Sequence, residues 1–393
     1  MSFLPQSARS LALLAALALA ASSPAHAQAP AAKPAPAPAP KPAPDVIVFT
    51  NGDQLSGTLE RGVGNSVVFK SDMAGEITVT LDKVKELHSS GSFAVLRKDV
   101  PISRKTITPG TLIYTDGKLT LATPLEAPEV IPSAQIAYII DQPTYDRELE
   151  KKPGPWYGWN GAINGGATIV RATDYGETFT AGIALVRAIP AVPYLPARNR
   201  TSFDLQETYG KLTSPVIPQT TPPSPDAVTL TSIFHSDAER DEYFSPKFFA
   251  LAQTAFDHNF SQGLQLQQVY GGGIGWTAIK NGKQELDLKA TLQYEKQVFQ
   301  TPSSNVDLIG STLSEIYHRN LPHKLVFTES ASVLPAWNDA SAYSANGSVG
   351  LALPVFKRLS LTVTTTDNFL NDPAIGYNKN SFQFVTAIAY SLK

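Results

Sequence analysis

The chain contains no cysteine, which excludes a disulfide scaffold, a thiolate metal site and a cysteine nucleophile. Charge is also scarce: 17% of residues are charged, against about 25% in soluble domains. The formal net charge is −2, so no excess of Lys or Arg exists to neutralise phosphates, and nucleic acid is not expected as a partner. Past the N-terminal segment no run approaches the roughly 18 apolar residues of a membrane-spanning helix, so a helical membrane protein is excluded.

What the 393 residues do contain begins with an address. Arg9 precedes the apolar run Leu11 to Ala21, and Ala25-His26-Ala27 supplies small residues where a signal peptidase reads. This predicts a cleaved signal peptide over residues 1–27. Residues 28–44 are nearly all Ala and Pro. Repeated proline fixes φ and removes amide donors, which predicts an extended linker, a tether or a featureless spacer.

Residues 45–147 read as a small β module of SH3-like or Sm-like type. Val46 to Phe49 runs into the tight-turn signal Asn51-Gly52-Asp53, and Gln54 to Leu59 resumes extended structure. Ser66 to Lys70 and Glu76 to Leu81 are further short strands. A weaker copy about fifty residues on is expected from Phe93 to Leu96, Val100 to Ser103, Lys118 to Leu121 and Ser133 to Tyr138, giving two small barrel-like units.

Residues 156–393 alternate with period two. In the clearest case, Leu286, Leu288, Ala290, Leu292 and Tyr294 share one face, while Glu285, Asp287, Lys289 and Glu295 share the other. About twelve such segments start near residues 158, 177, 200, 228, 247, 263, 284, 305, 323, 342, 358 and 381. Many are ten residues or longer, matching a tilted membrane crossing. The expected fold is all-β, with an antiparallel transmembrane-type β-barrel of about twelve strands following the small module. The Pro-rich stretches Ile189 to Arg198 and Ser214 to Asp226 are read as loops on one rim. Tyr157, Trp159, Phe244, Phe260, Phe299 and Trp337 are read as interfacial girdle aromatics. A soluble β-fold enclosing a ligand cavity is the alternative.

The stretches Asp237 to Phe244, Phe248 to Ala252, Asp257-His258-Asn259-Phe260 and Tyr270 to Gly275 carry a resemblance. Together with Gly158 to Gly161, Gly165-Gly166, Ala172-Thr173-Asp174, Asn51 to Leu59 and Gly75-Glu76-Ile77, they resemble the salt-induced outer-membrane protein family, domain of unknown function 481. The likeness runs from about Asp45 to the C-terminus, with the two Pro-rich loops as insertions. It implies an outer-membrane barrel without an assigned biochemical role.

No catalytic constellation is legible. His235 and Ser236 are neighbours and point to opposite faces of a strand, and no G-x-S-x-G elbow exists. His318 and His323 flank a turn without a carboxylate at ligand spacing. Asp237, Glu239, Asp241 and Glu242 read as a solvated acidic turn in preference to a Ca²⁺-binding loop. The Gly271 to Gly275 run reads as a place where backbones approach closely or the wall bends. No enzyme activity, metal or cofactor is therefore expected. Glu285, Asp287, Lys289 and Glu295 are the candidate lumen-lining residues of an outer-membrane protein with a structural or passive-permeability role. Its partners would be outer-membrane lipid and the barrel-assembly machinery, with a periplasmic protein or the cell wall reached through the N-terminal module.

Overall fold

The computed structural model describes residues 43–98, 107–123, 127–151, 153–171, 175–216 and 225–392. The expectations for residues 1–27 and for nearly all of 28–44, the strand at Val100 to Ser103 and the turn at Ala172 to Asp174 lie outside the described residues.

Nine strands form the N-terminal sheet: β1 (Asp45–Phe49), β2 (Gln54–Val63), β3 (Ser66–Ser71), β4 (Gly75–Thr80) and β5 (Val84–Arg97), then β6 (Gly110–Thr115), β7 (Lys118–Ala122), β8 (Glu129–Pro132) and β9 (Ile136–Asp141). Hydrogen bonding runs β4-β3-β2-β1-β5-β6-β7-β8, and β9 pairs with both β2 and β5. The 3-10 turns at Leu81–Lys83 and Ser133–Gln135 each lead into a strand. The two expected units form one sheet and no separate barrels. The 14-residue β5 serves both, and one core joins Ile47, Leu59 and Phe69 to Leu112, Leu119 and Ile139. A strand bent by a register shift near Ser89 and Ser92 pairs with different neighbours at its two ends, which fuses the halves.

The chain leaves this sheet through a short helix, α1 (Gln142–Tyr145), whose first turn is capped by the Asp141 carboxylate accepting from the Thr144 amide at 3.1 Å. It then enters a closed barrel of twelve antiparallel strands. These are β10 (Trp159–Arg171), β11 (Tyr175–Ile189), β12 (Asn199–Ser214), β13 (Ala227–Tyr243), β14 (Phe248–Asn259) and β15 (Leu264–Lys280). They continue as β16 (Gln284–Phe299), β17 (Val306–Asn320), β18 (Val326–Pro335), β19 (Tyr343–Phe356), β20 (Leu359–Leu370) and β21 (Asn380–Ser391). The closing pair, β10 with β21, is made over Ala162–Gly165 and Ile388–Ser391. Period-two patterning produces this result because each strand has one apolar and one polar face, and closure removes the edges an open sheet would expose.

In an up-and-down barrel successive connections alternate between ends. Residues 190–198 therefore lie at the end facing the N-terminal sheet, and Ser214 and Ala227, which flank the second Pro-rich stretch, lie at the far end; residues 217–224 of that stretch are outside the described residues. The expectation that both Pro-rich loops share a rim is corrected by that alternation. The other connections at the sheet end, 244–247, 281–283, 321–325 and 357–358, are short. Far-end connections include 336–342 and 371–379.

Outside, the wall is apolar: Ile274 is 62% exposed, Leu292 61%, Phe382 66% and Ile388 60%. Phe244, Phe248 and Trp276 stack in a row near the sheet-end rim, with centroids 6.3 and 6.2 Å apart. Of the predicted girdle residues, Phe244 and Trp337 are well exposed and Phe260 is partly so. Phe299 is a correction. It falls on the inward phase of β16 and is buried with Leu264, Leu370 and Ala374 at the far mouth.

One loop ties sheet to barrel. Leu195, with Val192 and Tyr194 beside it, packs into a cluster with Leu96, Ile140, Tyr145 and Leu149. Glu148, fully buried, accepts from the Ala191 amide at 2.8 Å and from the Tyr157 hydroxyl at 2.5 Å. Burial acts to raise its pKa. The Tyr157 hydroxyl, the Ala191 amide and Arg147 outweigh it and hold the carboxyl below its usual range. Burial pushes the Tyr194 hydroxyl the other way, up to about 12.

Candidate functional site

The barrel lumen is the candidate site, because strand parity gathers there most of the buried charge of the barrel. Asp287, Lys289 and Glu295 project inward from β16 and are buried, while Glu285 on the same face is partly open at the sheet-end rim. The stretch Asp237 to Glu242, read from sequence as an acidic turn, is instead the second half of β13. Asp237, Glu239 and Asp241 consequently point into the lumen, and Glu242 points out, where it pairs with Arg240 at 2.5 Å.

Three charged layers stack along this wall. At the sheet end, Arg200 of β12 reaches Asp241 at 2.7 Å, Glu285 at 3.2 Å and Asp287 at 2.7 Å. Its guanidinium lies 5.4 Å from the Phe249 ring centroid and 6.0 Å from that of Tyr243, within cation–π range. Phe249 is wholly buried over Gly275, where a Cβ would run into its ring. The glycine run is thus a seat for a lumenal aromatic, in keeping with its reading as a place of close approach.

The second layer is Lys289 with Glu239, at 2.5 Å and both under a tenth exposed. The third centres on His235. Its Nδ1 lies 2.5 Å from Asp257 and its Nε2 lies 3.2 Å from Asp237. Asp204 faces Asp237 directly across the β12–β13 ladder. Toward the far end, Glu295 accepts from the side-chain amide of Gln297 at 2.6 Å.

The opposite wall is different in kind. The lumen-facing positions there are small and neutral, among them Ser330, Ser332, Asn346, Ser348, Thr366 and Gln383. Between the two walls is a cavity of about 650 Å³. At the far mouth the Gln262 side-chain amide donates to the carbonyls of Asn368 at 3.1 Å and Lys379 at 2.7 Å, joining the β14–β15 turn to the β20–β21 loop. These strand pairs lie on opposite sides of a twelve-strand ring, so the tie spans the mouth above the buried Phe299 cluster.

A second polar group stands on the outer surface. The Ser232 hydroxyl lies 2.8 Å from His258 Nε2 and 3.0 Å from Glu207. Sequence reading missed it, since the three residues come from three strands and meet only through the register. The carboxylate sits on the serine side of the imidazole, 3.8 Å from Nε2, rather than at Nδ1. An acid that orients a catalytic histidine would hold Nδ1. The group is a hydrogen-bonded patch without that geometry. Sequence reading likewise missed Arg200, Asp204 and Asp257 as lumenal residues. Their only sequence signal is shared parity along β12 and β14.

Three solved structures resemble the chain at very low identity. The NanC porin is 6% identical over 60% of this chain and 99% of that chain, with a TM-score of 0.35. The translocator domain of the autotransporter NalP from Neisseria meningitidis is 9% identical over 59% and 87%, with a TM-score of 0.30. The β domain of the Bordetella autotransporter BrkA is 9% identical over 60% and 98%, with a TM-score of 0.28. No curated protein matches the chain in sequence. The family described as protein of unknown function, DUF481, matches residues 196–392, half of the chain and all but the first two strands of the barrel. The chain belongs to the DUF481 family of proteins of unknown function.

Proposed function

We propose that this protein is a β-barrel of the outer membrane whose polar lumen admits small solutes, with the N-terminal sheet on the periplasmic side. One observation carries the reading: an apolar outer belt surrounds a polar, charged interior that retains a cavity of about 650 Å³. A soluble barrel has no use for outward Ile274, Leu292, Phe382 and Ile388, each about 60% exposed or more. Strands of 10 to 17 residues meet or exceed the roughly 9–11 needed for a tilted crossing. Apart from residues 190–198, the sheet-end connections are short, and the far end carries the longer 336–342 and 371–379, which fits the usual periplasmic and external sides of such barrels.

The role is non-enzymatic in this reading. The Arg200 and Lys289 layers make it a braced, narrow passage rather than a wide one. Outer-membrane lipid and the barrel-assembly machinery are the partners the belt requires. The N-terminal sheet is placed to meet a periplasmic protein or the cell wall.

Fractionation of the expressed protein, followed by gel migration with and without boiling, tests the location. Recovery in the outer membrane with heat-modifiable mobility supports it, and conductance in planar bilayers then tests the passage. Recovery as a soluble periplasmic protein without a mobility shift would overturn the membrane reading in favour of a soluble ligand-binding fold.

A further inference from the structure

We propose that Asp204, His235 and Asp237 form a binding site for one divalent transition-metal ion on the lumen wall, with Asp257 positioning the histidine. The site needs only a folded barrel and does not depend on solute passing through.

The donor atoms of Asp204, His235 and Asp237 all lie within 4.8 Å of one another. Two ligands bound to a common ion at about 2.1 Å stand some 3 to 4 Å apart, so side-chain rotation suffices to close on a metal. One imidazole with two carboxylates suits zinc, manganese or iron better than magnesium, which favours an all-oxygen octahedron.

Two further features point to a cation here. First, Asp204 and Asp237 are direct cross-strand neighbours. Like charges opposed in that way destabilise a ladder, and among the described residues no Lys or Arg pairs with Asp204. Nearer the sheet end the charged wall is arranged otherwise. Glu239, Asp241, Glu285 and Asp287 each have Lys or Arg within 3.2 Å. Three carboxylates therefore share a single imidazole in this layer alone, beside the open cavity.

Second, Asp257 holds Nδ1 of His235 at 2.5 Å, from the next strand. Metal-bound histidines characteristically donate the other ring nitrogen to a carboxylate, which fixes the tautomer and ring orientation. That bond leaves Nε2 facing Asp237 and Asp204. Without metal, an imidazolium holding a proton on each nitrogen satisfies both Asp257 and Asp237. With metal, the ion takes the place of the Nε2 proton, which is released to solvent.

The test uses the full chain folded in detergent, with heat-modifiable gel mobility as the check that each sample is a barrel. Equilibrium dialysis against Zn²⁺ and Mn²⁺ should show one ion per chain. Mg²⁺ should bind at least about tenfold more weakly. Calorimetry in buffers of different ionisation enthalpy should report a proton released on binding. Asp204→Asn, nearly isosteric, should lower affinity at least tenfold without changing the mobility shift. Asp257→Asn should lower it by about 10- to 100-fold while keeping the stoichiometry. His318→Ala should leave binding unchanged. A folded wild-type barrel that binds no ion overturns the proposal, and so does a folded His235→Ala variant that binds as the wild type does.

Discussion

Arg200 on β12 and Asp287 on β16 meet at 2.7 Å inside the barrel, although three strands separate them around the wall. The pair is buried, with side chains 18% and 5% exposed. Removing Arg200 leaves Asp241 and Asp287 as charges without their cation, and breaking a buried pair in this way costs roughly 3–5 kcal/mol. Arg200→Ala should lower the temperature of the mobility shift and raise single-channel conductance. A variant with wild-type thermal behaviour and conductance would show that the pair neither braces nor narrows the lumen.

Lys289 is the cation of the middle layer, 2.5 Å from Glu239. Lys289→Ala leaves that carboxylate uncompensated beside the cavity. In a salt gradient the reversal potential should move toward greater cation permeability. No change in either conductance or reversal potential would count against passage along this wall.

Leu292 lies midway along β16 and faces outward, 61% exposed. Arg at a lipid-facing midplane position costs about 2–4 kcal/mol. Leu292→Arg should therefore reduce folding into lipid vesicles, measured as the fraction with shifted mobility. Thr364→Arg, which points into the lumen, should fold nearly as well as wild type. Equal loss for the two would mean the belt does not face lipid.

Glu148 predicts an acid-sensitive joint. Because its folded pKa is depressed, its contribution is present above the ordinary glutamate range near about 4.3 and is lost as pH falls through the lower folded value. Hydrogen exchange at residues 191–195, corrected for intrinsic rate, should be slow at neutral pH and rise in acid. Glu148→Gln should show fast exchange throughout, with no pH step. A wild-type loop equally protected on both sides of that range would remove Glu148 from the account.

Much of the barrel was legible because period-two alternation is a local property. Leu286 to Tyr294 reveal their outward face without any knowledge of neighbours, and the expected strand starts fall within three residues of those observed. The acidic stretch of β13 misled because Asp and Glu are poor strand formers in isolation. Pairing with both β12 and β14 overrides that preference and sends alternate carboxylates inward. Phe299 was misplaced because its aromatic type and place at a strand end were read ahead of its parity, which already set it on the face of Asp287 and Lys289. The His235 layer was illegible for a deeper reason. Asp204, Asp237 and Asp257 converge only once the registers of three strands are fixed, and no single-strand pattern encodes those registers. In the N-terminal sheet several short strands were readable, but the single sheet in which β5 joins them was not. A strand that changes partners midway has an ordinary sequence.

The joint between β10 and β21 has its own mechanical meaning. The rungs that complete the ring, Ala162–Gly165 with Ile388–Ser391, sit at the end of β10 where the chain arrives from the N-terminal sheet. Along that line the wall works as a clasp fastened at its lower edge, whereas every other neighbouring pair is stitched along more of its length. The sheet is joined to that clasp through the Tyr157 to Trp159 turn, and to β11 and β12 through the loop that holds Leu195. Whatever takes hold of the N-terminal sheet thereby holds the lever arm nearest the fastening that keeps the cylinder shut.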